Sequence, residues 1–154
     1  MKVVVMEQKI IRGLSVRTTN ANEMNASLAK IALLHEQFDK TVTVDYGAGY
    51  RVYGVYYNYE SDASGEFSVL SGTDQMSAPS VDELELITLP AGKFMVFEAS
   101  GVVPQVVIDT WQEIWTYFEK DNNKKSNDEH QRAYTTDFEH YKSQSEVDIY
   151  IAIE

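Results

Sequence analysis

The chain has no cysteine. Disulfides, thiolate metal centres and cysteine nucleophiles are therefore excluded together. Histidine is nearly as scarce, with only His35, His130 and His140, and no His-x-His or His-x-x-Glu-His spacing occurs to seed a metal site. There is no phosphate-cradling glycine loop and no serine-nucleophile motif, so neither a metal nor a cofactor is expected. Long hydrophobic runs are also missing. The opening MKVVVMEQK offers four apolar residues before Glu7, too few for a signal-peptide core. Nothing approaches the roughly eighteen apolar residues of a membrane span. Basic residues are in deficit, 13 against 24 acidic ones, for a formal charge of −11. A phosphate backbone would be repelled by that balance, whereas a cationic ligand would be attracted. The expectation is a cytoplasmic protein that does not bind nucleic acid or membrane directly.

What is present reads as one α+β domain spanning 1–154. Lys9 to Thr18 alternates as a strand, with Ile10, Leu14 and Val16 on one face. Asn20 to Glu23 is a polar helix start, and Met24, Leu28, Ile31, His35 and Phe38 recur at helical spacing, predicting a helix over 22–39. Strands follow at 50–59 and 67–71, joined by a hairpin loop at Ser61–Gly65. The order then repeats. Strands at 83–89 and 93–100 precede a helix from Pro104 to about residue 120, with Val107, Ile108, Trp111, Ile114, Trp115 and Phe118 on one stripe. A polar loop at 119–131 leads to strands at 132–141 and 146–153. The pattern predicts two βαββ halves, about 1–75 and 80–154, joined near Met76–Ser80. Their sheets would be antiparallel and pseudo-two-fold related, with two long helices on one side and a ligand groove between halves.

Six of the ten tyrosines fall between Tyr46 and Tyr59. Tyrosine suits a half-buried strand, but it also suits a wall that is apolar along its length and wet at its mouth. Seven short stretches occur in an order that resembles the gyrase-inhibitor-like small-molecule-binding domains. They are Gly13-Leu14-Ser15, Tyr53-Gly54-Val55-Tyr56, Tyr59-Glu60-Ser61-Asp62, Leu89 to Phe94, Trp111 with Ile114-Trp115, Phe138-Glu139-His140-Tyr141, and Val147 to Ile151. Such domains also serve as effector-binding halves of AraC- and MerR-type transcription regulators. The resemblance implies a tandem βαββ fold with an aromatic pocket and an acidic floor, receiving lipophilic, often cationic or aromatic, small molecules. It marks Glu139, in the Phe-Glu-x-Tyr stretch that ends at Tyr141, as the pocket acid. Family members include an inhibitor of DNA gyrase and hydrolases of cyclopropane-bearing toxins. Here Ala152 stands where the last strand often carries proline, and the 119–131 loop is more charged than is usual. No helix-turn-helix is read in these residues, so a role in transcription would need another chain.

The residues themselves give a partial check. If Lys142–Ser145 is a four-residue loop, Tyr141 pairs with Glu146 and Glu139 lies opposite Asp148. In this reading Asp148, Tyr150 and Ala152 face the groove, while Val147, Ile149, Ile151 and Ile153 meet the helices. Two carboxylates directly opposed persist if water screens them, one is protonated, or a cation visits. The strand at 50–59 offers one face with Tyr53, Val55, Tyr57 and Tyr59 and another with Tyr50, Val52, Gly54 and Tyr56; the Tyr53 face is assigned to the groove. Trp111 and Trp115 belong to a helix stripe suited to core packing, and either could form a pocket wall. The expected ligand-binding set is thus Glu139, Tyr141, Asp148, Tyr150, Tyr53, Trp111 and Trp115. The alternative is a hydrolase in which Glu139 is a general base, with Trp115 or Tyr150 positioning a strained electrophile.

Overall fold

The structure, a computed structural model, describes residues 2–77, 84–123 and 130–154. Among the described residues eight strands form a single curled antiparallel sheet, whose central strands are buried on both faces. The strands are β1 (Lys2–Met6), β2 (Lys9–Thr19), β3 (Val52–Tyr57), β4 (Glu66–Thr73), β5 (Glu85–Leu89), β6 (Gly92–Ser100), β7 (Thr136–Tyr141) and β8 (Glu146–Ala152). Their spatial order is β1-β6-β8-β7-β3-β4-β2-β5. Read from either end, this order visits equivalent strands of the two βαββ repeats. β3 and β7 therefore meet side by side at the centre, and each repeat lends an edge strand to the other.

Among the described residues three α-helices accompany the sheet: α1 (Asn20–Glu23), α2 (Ile31–Thr41) and α3 (Gln105–Asn123). Helix α2 lays Leu34 and Phe38 against β2 and β4, and α3 lays its stripe of Val107, Trp111, Ile114 and Phe118 against β6. From the sheet, Phe67, Val69, Met95, Phe97, Val147, Ile149 and Ile151 complete this core. The opposite face curls upon itself and buries Ile11, Tyr53, Val55, Leu70, Phe94 and Phe138 in a second cluster. Both helices sit out toward the flanks, so the central β3–β7 seam lies between them.

Several sequence-based boundaries need correction. The helix expected at 22–39 is broken, because Glu23 folds back rather than continuing the first helix. Its carboxylate accepts the Lys30 and Ile31 backbone N–H groups at 3.1–3.2 Å and the Thr18 hydroxyl at 2.6 Å, which caps α2 from a distance. Met24 and Leu28, counted above in the helical stripe, are exposed. The short apolar run Val3-Val4-Val5 is the edge strand β1, paired with β6. Residues 119–123 of the expected polar loop extend α3, and 124–129 lie outside the described residues, as do 78–80 of the expected junction and residue 83 of the expected strand.

The Glu23 cap generates a stability prediction. Glu23→Ala leaves three donors without their acceptor and is expected to cost about 1–2 kcal/mol, the range for a lost helix cap. Glu23→Gln, which keeps a carbonyl acceptor, should lose clearly less. Urea unfolding of the three proteins measures both differences.

Candidate ligand cavity

The seam carries the polar chemistry. In β7 the alternation turns Asp137, Glu139 and Tyr141 toward the helices, and in β3 it turns Val52, Gly54 and Tyr56 the same way. Glu139 lies directly opposite Gly54. The missing side chain makes room for the carboxylate, since a Cβ on Gly54 would stand 2.5 Å from Glu139 Oε1. Above the seam, between α2 and α3, is a cavity of about 430 Å³. Its walls include Ile31 and His35 from α2, Tyr56, Tyr59 and Phe67 from the first repeat, and Val107, Trp111 and Trp115 from α3.

Glu139 is the floor, at 1% exposure. Oε2 accepts the Trp111 indole N–H at 2.8 Å and the Tyr56 hydroxyl at 2.9 Å, while Oε1 accepts the Tyr141 hydroxyl at 2.7 Å. All three donors are neutral. Among the described residues no cationic side chain pairs with Glu139. Such a carboxylate is hydrogen bonded yet electrostatically uncompensated, with apolar walls that would strengthen its attraction for a bound cation.

Two residues along β7, Asp137 is fully buried and compensated. Its Oδ2 takes the Arg132 guanidinium at 2.7 Å and the Tyr59 hydroxyl at 2.6 Å, and its Oδ1 accepts the Ala152 backbone N–H at 2.8 Å. Tyr59 reaches this position because Asn58 adopts a left-handed conformation, φ 51°. That single residue ends the strand alternation and brings Tyr59 to the Tyr56 side. At the other end of the cavity the His35 ring meets Ser71 Oγ through Nδ1 at 2.6 Å, and its Nε2 is buried without a partner among the described residues.

The residues expected from the sequence divide in two. Glu139, Tyr141, Trp111 and Trp115 line this one cavity. Tyr53, Asp148 and Tyr150 lie on the opposite face, where Tyr53 stacks on His140 and Tyr150 on Phe138. For Asp148 and Tyr150 the cause is a single residue of register. Tyr141 pairs with Val147 and Glu139 with Ile149, so the connection is one residue longer than assumed. A one-residue slip exchanges faces. Glu139 therefore shares the helix side, Asp148 lies opposite His140 and salt-bridges Lys142, and the expected opposition of two carboxylates does not occur. The tyrosine face at the cavity is likewise that of Tyr56, not Tyr53. Arg132 and His35 line the cavity and Asp137 pairs with Arg132, although none of the three was in the expected set. The helical stripe of His35 was the only signal for any of them.

A curled sheet of tandem βαββ repeats, with helices flanking a carboxylate-floored cavity, places the protein among effector-binding domains. SAV2435, solved with tetraphenylphosphonium bound, has the same fold at 17% identity (TM-score 0.67, covering 99% of this chain and 93% of that one). More narrowly, the chain belongs to the family of integron-associated effector-binding proteins, Cass2, whose profile matches residues 2–153. It is 41% identical to the integron cassette protein VCH_CASS2 from the mobile metagenome of Vibrio cholerae, with a TM-score of 0.86 over 99% of this chain and 95% of that one. It is also 29% identical, over 96% of its own length and 94% of the relative's, to the "Putative transcriptional regulator protein YobU" of Bacillus subtilis (strain 168).

Burial, and then the nearby Glu139 charge, holds the Tyr56 and Tyr141 phenols well above their ordinary value of 10.0; burial and Asp137 do the same to Tyr59. These hydroxyls keep their protons, and so their donor role, in alkaline solution. The unfolded chain releases its phenol protons above the ordinary value while the folded chain retains them. Stability is therefore complete below that pH and falls as pH rises toward the folded values. Urea unfolding at successive alkaline pH values should show the decline, with a shallower slope for Tyr56→Phe. Phenolate absorbance of the folded protein should lag behind that of the unfolded one.

Proposed function

We propose that the protein is a receptor for lipophilic organic cations, preferentially aromatic ones, taken up between α2 and α3 with the positive charge directed at Glu139. The observation that carries this reading is the uncompensated buried carboxylate beneath aromatic walls. Tyr56, Trp111 and Trp115 offer ring faces to an organic cation, an attraction that grows when water is excluded. A volume of about 430 Å³ lies within the range of small-molecule sites. The formal charge of −11 favours approach of cations over anions. The tetraphenylphosphonium bound to SAV2435 is a ligand of this class. In such a receptor the tyrosine and tryptophan donors fix the carboxylate before the ligand arrives, so little ordering remains to be done on binding.

Titration of tetraphenylphosphonium into the native protein and Glu139→Gln at two salt concentrations tests the proposal. The variant keeps the shape, and the Tyr141 hydroxyl can turn from donor to acceptor. Affinity should fall about ten- to hundredfold, the equivalent of about 1.5–3 kcal/mol for a charged interaction. The folded state should persist. Equal affinities for the two proteins would remove Glu139 from the ligand's surroundings.

A further inference from the structure

Arg132 lines the same cavity, with a side chain only 4% exposed. One of its nitrogens, Nη2, is committed to Asp137 at 2.7 Å and lies 3.5 Å from the Tyr59 hydroxyl. The Nε–H is buried and has no partner among the described residues. Guanidinium groups only donate, and buried donors in folded proteins nearly always find an acceptor. The surrounding chain is shaped to hold this group in place. Tyr134 adopts φ 52°, uncommon for a bulky residue, and its ring lies 4.4 Å beneath the guanidinium. Tyr59, brought in by the other left-handed residue Asn58, packs edge-on against Tyr134 at 5.7 Å. Trp111 connects the two polar points: its N–H holds Glu139, and its ring centre is 6.0 Å from the guanidinium.

We propose that Arg132 is a specificity-determining residue and that the effector carries a hydrogen-bond acceptor, such as a ketone or ester carbonyl, on the opposite end from its cationic group. The inference rests on the cation-receptor reading above and narrows its ligand class. The backbone positions of Glu139 and of Asp137, whose carboxylate holds the Arg132 guanidinium, are two residues apart on one strand face, about 6.6 Å. An ammonium nitrogen and a ketone oxygen placed para on one ring are separated by a similar distance. Glu139 would take the cation, Arg132 the carbonyl oxygen, and Trp111 would flank the ring between them.

The matched probes are (4-acetylphenyl)trimethylammonium and its 4-isopropyl analogue, equal in charge and similar in shape. Calorimetric titration of the native protein should give about tenfold tighter binding of the acetyl compound, as for a hydrogen bond to a charged group. Arg132→Lys retains a positive charge for Asp137 but lacks the planar guanidinium. It should bring the ratio of the two affinities close to unity, and that ratio, not the affinity for either compound alone, is the readout. A double variant, Arg132→Met with Asp137→Asn, removes both charges together and provides the same comparison if the lysine variant does not fold. Equal affinities in the native protein overturn the proposal, because the guanidinium then makes no use of the acceptor. So does a preference that survives in either variant. Glu139→Gln separates the two levels of the argument. If it weakens both probes equally while no acetyl preference exists, only the role of Arg132 fails. If it weakens neither, the cation-receptor reading fails and the role of Arg132 falls with it.

Discussion

A carboxylate removed from water is costly unless its charge is met by donors or by an opposite charge. At Glu139 donors alone meet it, and much of the local structure follows from that constraint. Trp111 must present its indole N–H downward, which fixes the rotation of α3 over β6. Tyr56 and Tyr141 must come from the two central strands, which fixes the face that β3 and β7 turn toward the helices. Position 54 must have no side chain, because any Cβ there would collide with the carboxylate. These demands fall on three separate elements, so the floor of the cavity is as much a product of tertiary packing as the hydrophobic core around it.

The repeat explains where such a floor can exist. Each helix covers the flank of its own repeat, and the innermost strands of both repeats meet at a seam that neither helix covers. A polar group under either helix would be crushed into packed side chains, whereas one on the seam has space above it. The opposite face of the same strands shows the contrast. There Tyr53, Phe138 and Phe94 close into an apolar cluster within the curl, with a much smaller cavity of about 80 Å³ at its mouth. Burial pushes the Tyr53 phenol up and the His140 imidazole down, as expected for rings held in a dry environment.

The legible part of this protein was the part with a period. The stripe from Val107 to Phe118 and the alternation of β8 survive into the structure because long buried faces specify one register each. Glu139, Tyr141, Trp111 and Trp115, the part of the expected set that lines the cavity, were picked out by motif and stripe. Asp148 and Tyr150 were put on the Glu139 face by one residue in one hairpin, a quantity no hydrophobic pattern determines, and Tyr53 by a choice between two strand faces that both carry tyrosine. The polar residues Lys142–Ser145 carry no marker of whether the connection has four residues or five. The break after Glu23 was hidden for another reason. Its capping bonds run to Lys30 and Ile31, seven and eight residues away, beyond the reach of a local capping signature. Arg132 and Asp137 gave no signal because their meaning depends on being buried together.

Those last two residues sharpen the role of Glu139. Along β7 the chain buries two acids on one face, two residues apart, and treats them differently. Asp137 receives an arginine, a tyrosine and a backbone N–H, and its charge is cancelled within the fold. Glu139, equally buried, receives only neutral donors. Had the fold required nothing more than two satisfied carboxylates, either solution would have served at both positions. A buried ion pair adds little net stability, because desolvation offsets most of its Coulomb energy, so stability does not explain why only one is paired. Compensation at Asp137 removes a competing negative charge from behind the cavity wall, where Arg132 stands between it and the space. It leaves Glu139 as the acid of the two toward which a positive charge would gain most, so in the proposed receptor selectivity for cations would come from the contrast between two neighbours as well as from the total charge of the chain.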